Sequence, residues 1–150
     1  MAVVSWLLGA PALAHADFVD GLAAFDGGDY ATSFEEWVPL AQRGDIEAQV
    51  ALAGLYMAGQ GVRANVAEAL RWYRAAAEQG DPVAQLNMGD FYDRGIGVAR
   101  DPVAAYVWFA LAAESGRAWP ATRRDALNAR MNPDQRAEAR QRLKAWRAAH

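Results

Sequence analysis

Cysteine is missing altogether from this 150-residue chain, and histidine occurs only twice, as His15 and His150. Lys144 is the single lysine, and beyond residue 16 the serines are Ser33 and Ser115 alone. Each shortage removes a chemistry. Without cysteine there is no disulfide framework, no thiolate nucleophile and no Cys-ligated zinc. One terminal imidazole cannot serve a Ser-His-Asp or Cys-His arrangement, and neither serine has a lysine three residues on, where Glu36 and Ala118 stand. Histidine-rich zinc binding is excluded on the same count. No cofactor is expected. β-branched residues are sparse after residue 20 while alanine is abundant, which favours helix over strand. Hydrophobic residues make up 53% and aromatics 11%, so the chain has the material for a packed core and disorder is not expected.

The long apolar run that is present lies at the N-terminus. Residues 2–14 read AVVSWLLGAPALA without a charge and lead into Ala14-His15-Ala16, with Asp17 as the first acidic residue. Small residues at −3 and −1 fit a secretory cleavage site after Ala16, and the run is short for a transmembrane helix. No basic residue precedes it, so the natural start is expected to lie slightly upstream. The expectation is a signal peptide over 1–16 and a periplasmic or secreted mature protein.

Charge is split along the chain. Residues 17–116 hold 15 acids and 6 arginines, whereas residues 117–150 hold 9 bases and 3 acids. Internal repetition explains most of the acidic part. Residues 45–80 set over 81–116, a shift of 36, agree at thirteen positions, and most other apolar positions exchange like for like. Each unit has a helical apolar face, such as Ala48, Leu52, Leu55 and Tyr56, then a glycine pair, then a second helix with Ala69, Trp72, Tyr73 and Ala76. Gly59 and Gly61, and Gly95 and Gly97 one unit later, are placed to end the first helix. Asp81-Pro82 and Asp101-Pro102 are helix starts. Residues 17–44 form a degenerate unit with a shorter turn at Asp26-Gly27-Gly28-Asp29. Residues 117–150 stand outside the repeat as a capping helix pair, the second helix opening at Asn132-Pro133-Asp134-Gln135.

The pattern Ala48-Gln49…Leu52…Tyr56…Gly59-x-Gly61-Val62…Ala69…Trp72-Tyr73…Ala76-Ala77…Gly80 resembles the Sel-one-like repeat, a relative of the tetratricopeptide repeat. It recurs at Ala84-Gln85…Met88-Gly89…Tyr92…Gly95-x-Gly97-Val98…Ala105…Trp108-Phe109…Ala112-Ala113…Gly116. The resemblance implies an all-α, right-handed α-α superhelix of about three helix pairs plus the C-terminal capping pair. It also implies an adaptor or scaffold that binds another protein or peptide, here in the bacterial cell envelope, and it transfers no catalytic residue. A cell-envelope hydrolase accessory or glycan-binding protein is the alternative from another class.

Four motifs bear on function. Gly59-Gln60-Gly61-Val62-Arg63-Ala64 fits a dinucleotide-binding pattern, but a helix precedes it and no parallel strands are expected, so it is read as an inter-helix turn. Asp90 and Asp93 share a helix face without a facing acid across a cleft, so they do not make a hydrolase. Trp72 and Trp108 share a repeat position, with Trp37 as their degenerate equivalent, which indicates packing rather than sugar stacking. Arg136, Arg140, Lys144 and Arg147 line a stripe of the last helix beside Ala139, Leu143 and Trp146. The expected role is a cap with a wet basic face; contact with an anionic membrane surface ranks behind it, and nucleic acid is not expected for a net acidic chain. In a helix-pair solenoid the first helix of each pair lines the concave side. The candidate partner-binding strip opposite the core face is therefore Glu47, Val50 and Met57, continued by Leu86, Asp90 and Asp93.

Overall fold

The computed structural model describes residues 18–150; the apolar segment and the cleavage site expected after Ala16 lie outside the described residues. The described residues form eight α-helices and no strand: α1 (Phe18–Asp26), α2 (Tyr30–Gln42), α3 (Ile46–Ala58), α4 (Val66–Glu78), α5 (Pro82–Arg94), α6 (Pro102–Ala113), α7 (Ala118–Arg130) and α8 (Pro133–Ala149). Each helix from α1 to α6 packs on the next in chain order, while α8 folds back onto α6. The result is an all-α solenoid of helix pairs.

Local chemistry sets the boundaries. Asp45 and Asp81 cap α3 and α5, accepting from Ala48 N at 2.8 Å and Ala84 N at 2.7 Å. Gly59 and Gly95 close the same helices at φ 66° and 68°, the left-handed region that a Cβ disfavours. Gly61 is needed for a second reason: a Cβ there would stand 2.1 Å from the Tyr30 carbonyl oxygen. The glycine pair thus ends a helix and lets the turn press against α2, and no strand stands before it. Asn132 and Gln135 form a reciprocal capping box at the start of α8.

Two devices hold the pairs in register. In the α1–α2 and α5–α6 pairs an aromatic ring on the second helix presses into a glycine on the first. A Cβ on Gly21 would stand 2.3 Å from Trp37 Nε1, and one on Gly89 would stand 2.5 Å from Phe109 Cδ1. Between pairs, Gln49 Nε2 donates to Ala41 O and Gln85 Nε2 to Ala77 O, each tying a first helix to the end of the preceding second helix.

Residues 117–150 continue this geometry further than their sequence shows. α3, α5 and α7 are each 13 residues long and begin at 46, 82 and 118, the same 36-residue step. Leu127 takes the buried place of Leu55 and Phe91. The other devices are gone: Arg117 replaces the capping aspartate and makes no side-chain cap, Ala121 replaces Gln85, and Asp125 replaces Gly89. The repeat ends because its register chemistry ends. A second core cluster of Val103, Ala105, Phe109, Leu127, Met131 and Ala139 then joins α6 to α7 and α8.

Candidate interaction surface

An open apolar recess of about 340 Å³ lies between α1 and α3. Phe18, Leu22 and Phe25 supply one wall at helical i, i+4, i+7 spacing, and Ala51, Gly54 and Leu55 supply the other. Trp37 belongs to its lining and is fixed in place. Its indole Nε1 donates to Phe18 O at 3.2 Å, and its ring stacks on Phe18 at 5.3 Å. No heavy atom lies within 4 Å of where a Cβ on Gly54 would stand. The space exists because position 54 carries no side chain.

The expected strip divides into two halves with different fates. Glu47 is exposed, Val50 is half-buried and Met57 is 39% exposed, all on α3, the helix that walls the recess. Val50 packs half-buried on the main core cluster and Leu86 on the second, so neither is a free surface residue. Asp90 and Asp93 are engaged within the chain. Arg123 of α7 ion-pairs closely with Asp90 and reaches Asp93 at 3.5 Å. Arg130 reaches Asp93 at 3.7 Å, and Arg100 does so at 3.8 Å while its Nε donates to the Asp93 carbonyl. The Arg123 guanidinium also sits 5.0 Å from the Phe109 ring centroid and 5.5 Å from that of Trp119. Burial pushes the Asp90 carboxyl above the ordinary aspartate range, outweighing the opposite pull of Arg123 and Arg94. These two aspartates hold α7 on α5.

Trp72 and Trp108 share a repeat position, whereas Trp37 stands 36 residues before Tyr73 and presses into Gly21 as Phe109 presses into Gly89, so it is the counterpart of Tyr73 and Phe109 and not of Trp72. Trp37 and Trp72 are buried, and Trp108 packs half-buried on the main cluster. The basic stripe of α8 is partly consumed as well: Arg147 pairs with Glu114, and Arg136 Nε donates to Asn128 O. Arg142, outside that stripe, reaches Asp101 at 3.2 Å.

The α1 wall of the recess was not among the residues singled out by repeat spacing, because α1 belongs to the degenerate unit. Two signals point to it in retrospect. One is the apolar period of Phe18, Leu22 and Phe25; the other is a glycine in the middle of α3, where glycine costs helix stability unless space is needed.

The geometry defines a class: a helical-repeat solenoid whose surfaces present grooves and no catalytic constellation among the described residues. The comparisons give the repeat its name. The Sel1 repeat model matches residues 46–81 and 82–116, so these residues are two tandem Sel1 repeats. A crystal structure of a protective antigen present in uropathogenic Escherichia coli strains, described as displaying an SLR fold, is 28% identical with a TM-score of 0.77. It aligns with 84% of this chain and 28% of its own. A Sel1 repeat protein from Oxalobacter formigenes is 30% identical with a TM-score of 0.69, over 74% of this chain and 46% of its own. The chain therefore spans less than half the length of either relative. No curated protein matches it. Sel1-repeat proteins generally mediate protein–protein interactions.

Proposed function

We propose that this chain is a non-enzymatic interaction module of the bacterial cell envelope that seats an apolar side chain of a partner protein between α1 and α3. The observation that carries this reading is the open, Gly54-floored recess. A recess with a few exposed neighbours, here Glu47 and Met57, suits an apolar anchor surrounded by polar contacts. Residues 18–42 hold five acids and no base, which favours a partner carrying basic residues beside that anchor. Export rests on residues 2–16: cleavage after Ala16 would deliver the module outside the cytoplasm. The similar E. coli protein is a protective antigen.

Photocrosslinkers placed at Leu22 and Met57 in the native host test the binding surface. The expected outcome is a discrete crosslinked partner that disappears in a Gly54→Leu background. A crosslink unchanged by G54L would exclude the recess. Intact mass of the protein recovered from its host tests export, since a species retaining residues 1–16 contradicts cleavage.

A further inference from the structure

Gln49 and Gln85 hold the same repeat position, yet their carboxamides are satisfied differently. In the earlier repeat Gln49 Oε1 is closed off by Gln79, whose Nε2 donates to it at 2.8 Å. One step of 36 later the residue in the place of Gln79 is Ser115. Its hydroxyl is too short to cross and turns back to Ala112 O at 2.7 Å. Gln85 is only 4% exposed and spends its Nε2 on Ala77 O, while none of the described residues donates to its Oε1. Gln85 lines a recess of about 360 Å³ together with Pro82, Leu111, Glu114, Ser115 and Trp146. Trp146 is held there from α8: its ring stacks on His150 at 4.0 Å, and the neighbouring Arg147 is anchored on Glu114.

An unpaired acceptor at the edge of a recess selects for a donor. A carboxylate offers none, and it would meet the C-terminal ends of α4 and α6, where the helix dipoles are negative. The neighbouring repeat displays the shape that fits, a carboxamide on two methylenes. We propose that this recess binds a glutamine side chain of a peptide partner. Its amide nitrogen donates to Gln85 Oε1 in the manner of Gln79, and its methylenes lie on Leu111 and the Trp146 indole. The site is separate from the α1–α3 recess and stands independently of it.

The test is an NMR titration of the full-length, 15N-labelled chain with N-acetyl-glutamine amide. One neutral hydrogen bond and a small apolar contact predict dissociation constants on the order of tens of millimolar. Saturable shifts are expected at the Gln85 side-chain amide and the Trp146 indole N–H. Ser115→Gln should abolish them by supplying the donor internally, and Ser115→Ala should retain them. Should S115Q fail to fold, Trp146→Ala serves instead and should weaken binding several-fold. The proposal is overturned by absent shifts, by equal shifts with the N-acetyl amides of glutamate, norleucine or lysine, or by variants that bind as the parent chain does.

Discussion

Asp93 has three guanidinium groups within ion-pair reach, whereas Asp90 has one. Asp93 is also the less exposed, at 13% of its side chain against 28%. Losing charge at position 93 strands more cations in a partly buried setting. Asp93→Asn should therefore lower the urea midpoint more than Asp90→Asn does, a difference in stability of about 1 kcal/mol at unchanged m-value. The two also differ in pH behaviour. Because burial raises the Asp90 pKa, the folded state holds that proton longer than the unfolded chain, so its ionisation costs stability as pH rises from the ordinary aspartate range to the raised value. D90N lacks this cost. Its stability relative to the parent should improve as pH rises through that window in parallel denaturation curves, and a flat difference would contradict the assignment. A third contrast concerns two buried indoles. Trp37 donates to Phe18 O, while Trp72 Nε1 is buried and finds no acceptor among the described residues. Trp37→Phe should cost roughly 1 kcal/mol more than Trp72→Phe, measured by the same midpoints.

α3 shows how a helix gives up stability for surface. Gly54 sits in its middle, facing open space. Gly54→Leu should raise the thermal midpoint slightly, since a helical glycine costs about 1 kcal/mol relative to alanine, while it fills the recess. Gain of stability with loss of partner capture would separate folding from binding; a destabilised variant would mean that the space is not open. α7 presents the opposite case. Its length and register follow α3 and α5, but residue identity at the capping, amide and small-residue positions has changed. Sequence comparison weighs identities, so it stops at Gly116, although the backbone continues the step into α7.

The opposite charges of the two parts of the chain meet in the folded molecule. Arg123, Arg130, Arg142 and Arg147 from the basic part pair with Asp90, Asp93, Asp101 and Glu114 from the acidic part. Exposed pairs of this kind contribute at most about 1 kcal/mol each; the larger contribution is apolar. Phe109 is fully buried by the second cluster, and covering such a ring is worth about 1.5–3 kcal/mol. A chain ending at Gly116 should expose α6 and lose its basic partners. It is expected to aggregate or melt well below the full chain in size-exclusion and circular-dichroism measurements; a monomer of unchanged midpoint would show that α7 and α8 are not a cap.

Much was legible before folding. Apolar spacing of 3, 4 and 7, aspartate caps and glycine stops are local, so the helices from α3 to α6 and their 36-residue step could be read directly from residues 45–116. The burial of Tyr73 and Phe109 followed from their shared place in that step, which Trp37 also occupies in the degenerate unit. What tertiary structure alone decided was which surface residues remain available. Glu47 and Asp90 look alike as acids on a first helix, yet Asp90 is taken by an arginine 33 residues away, and no local pattern encodes that meeting. The recess between α1 and α3, and the open oxygen of Gln85, likewise depend on what neighbouring helices fail to fill. Local hydrogen bonding and periodicity determine helices; the filling of space between them is a property of the assembled chain.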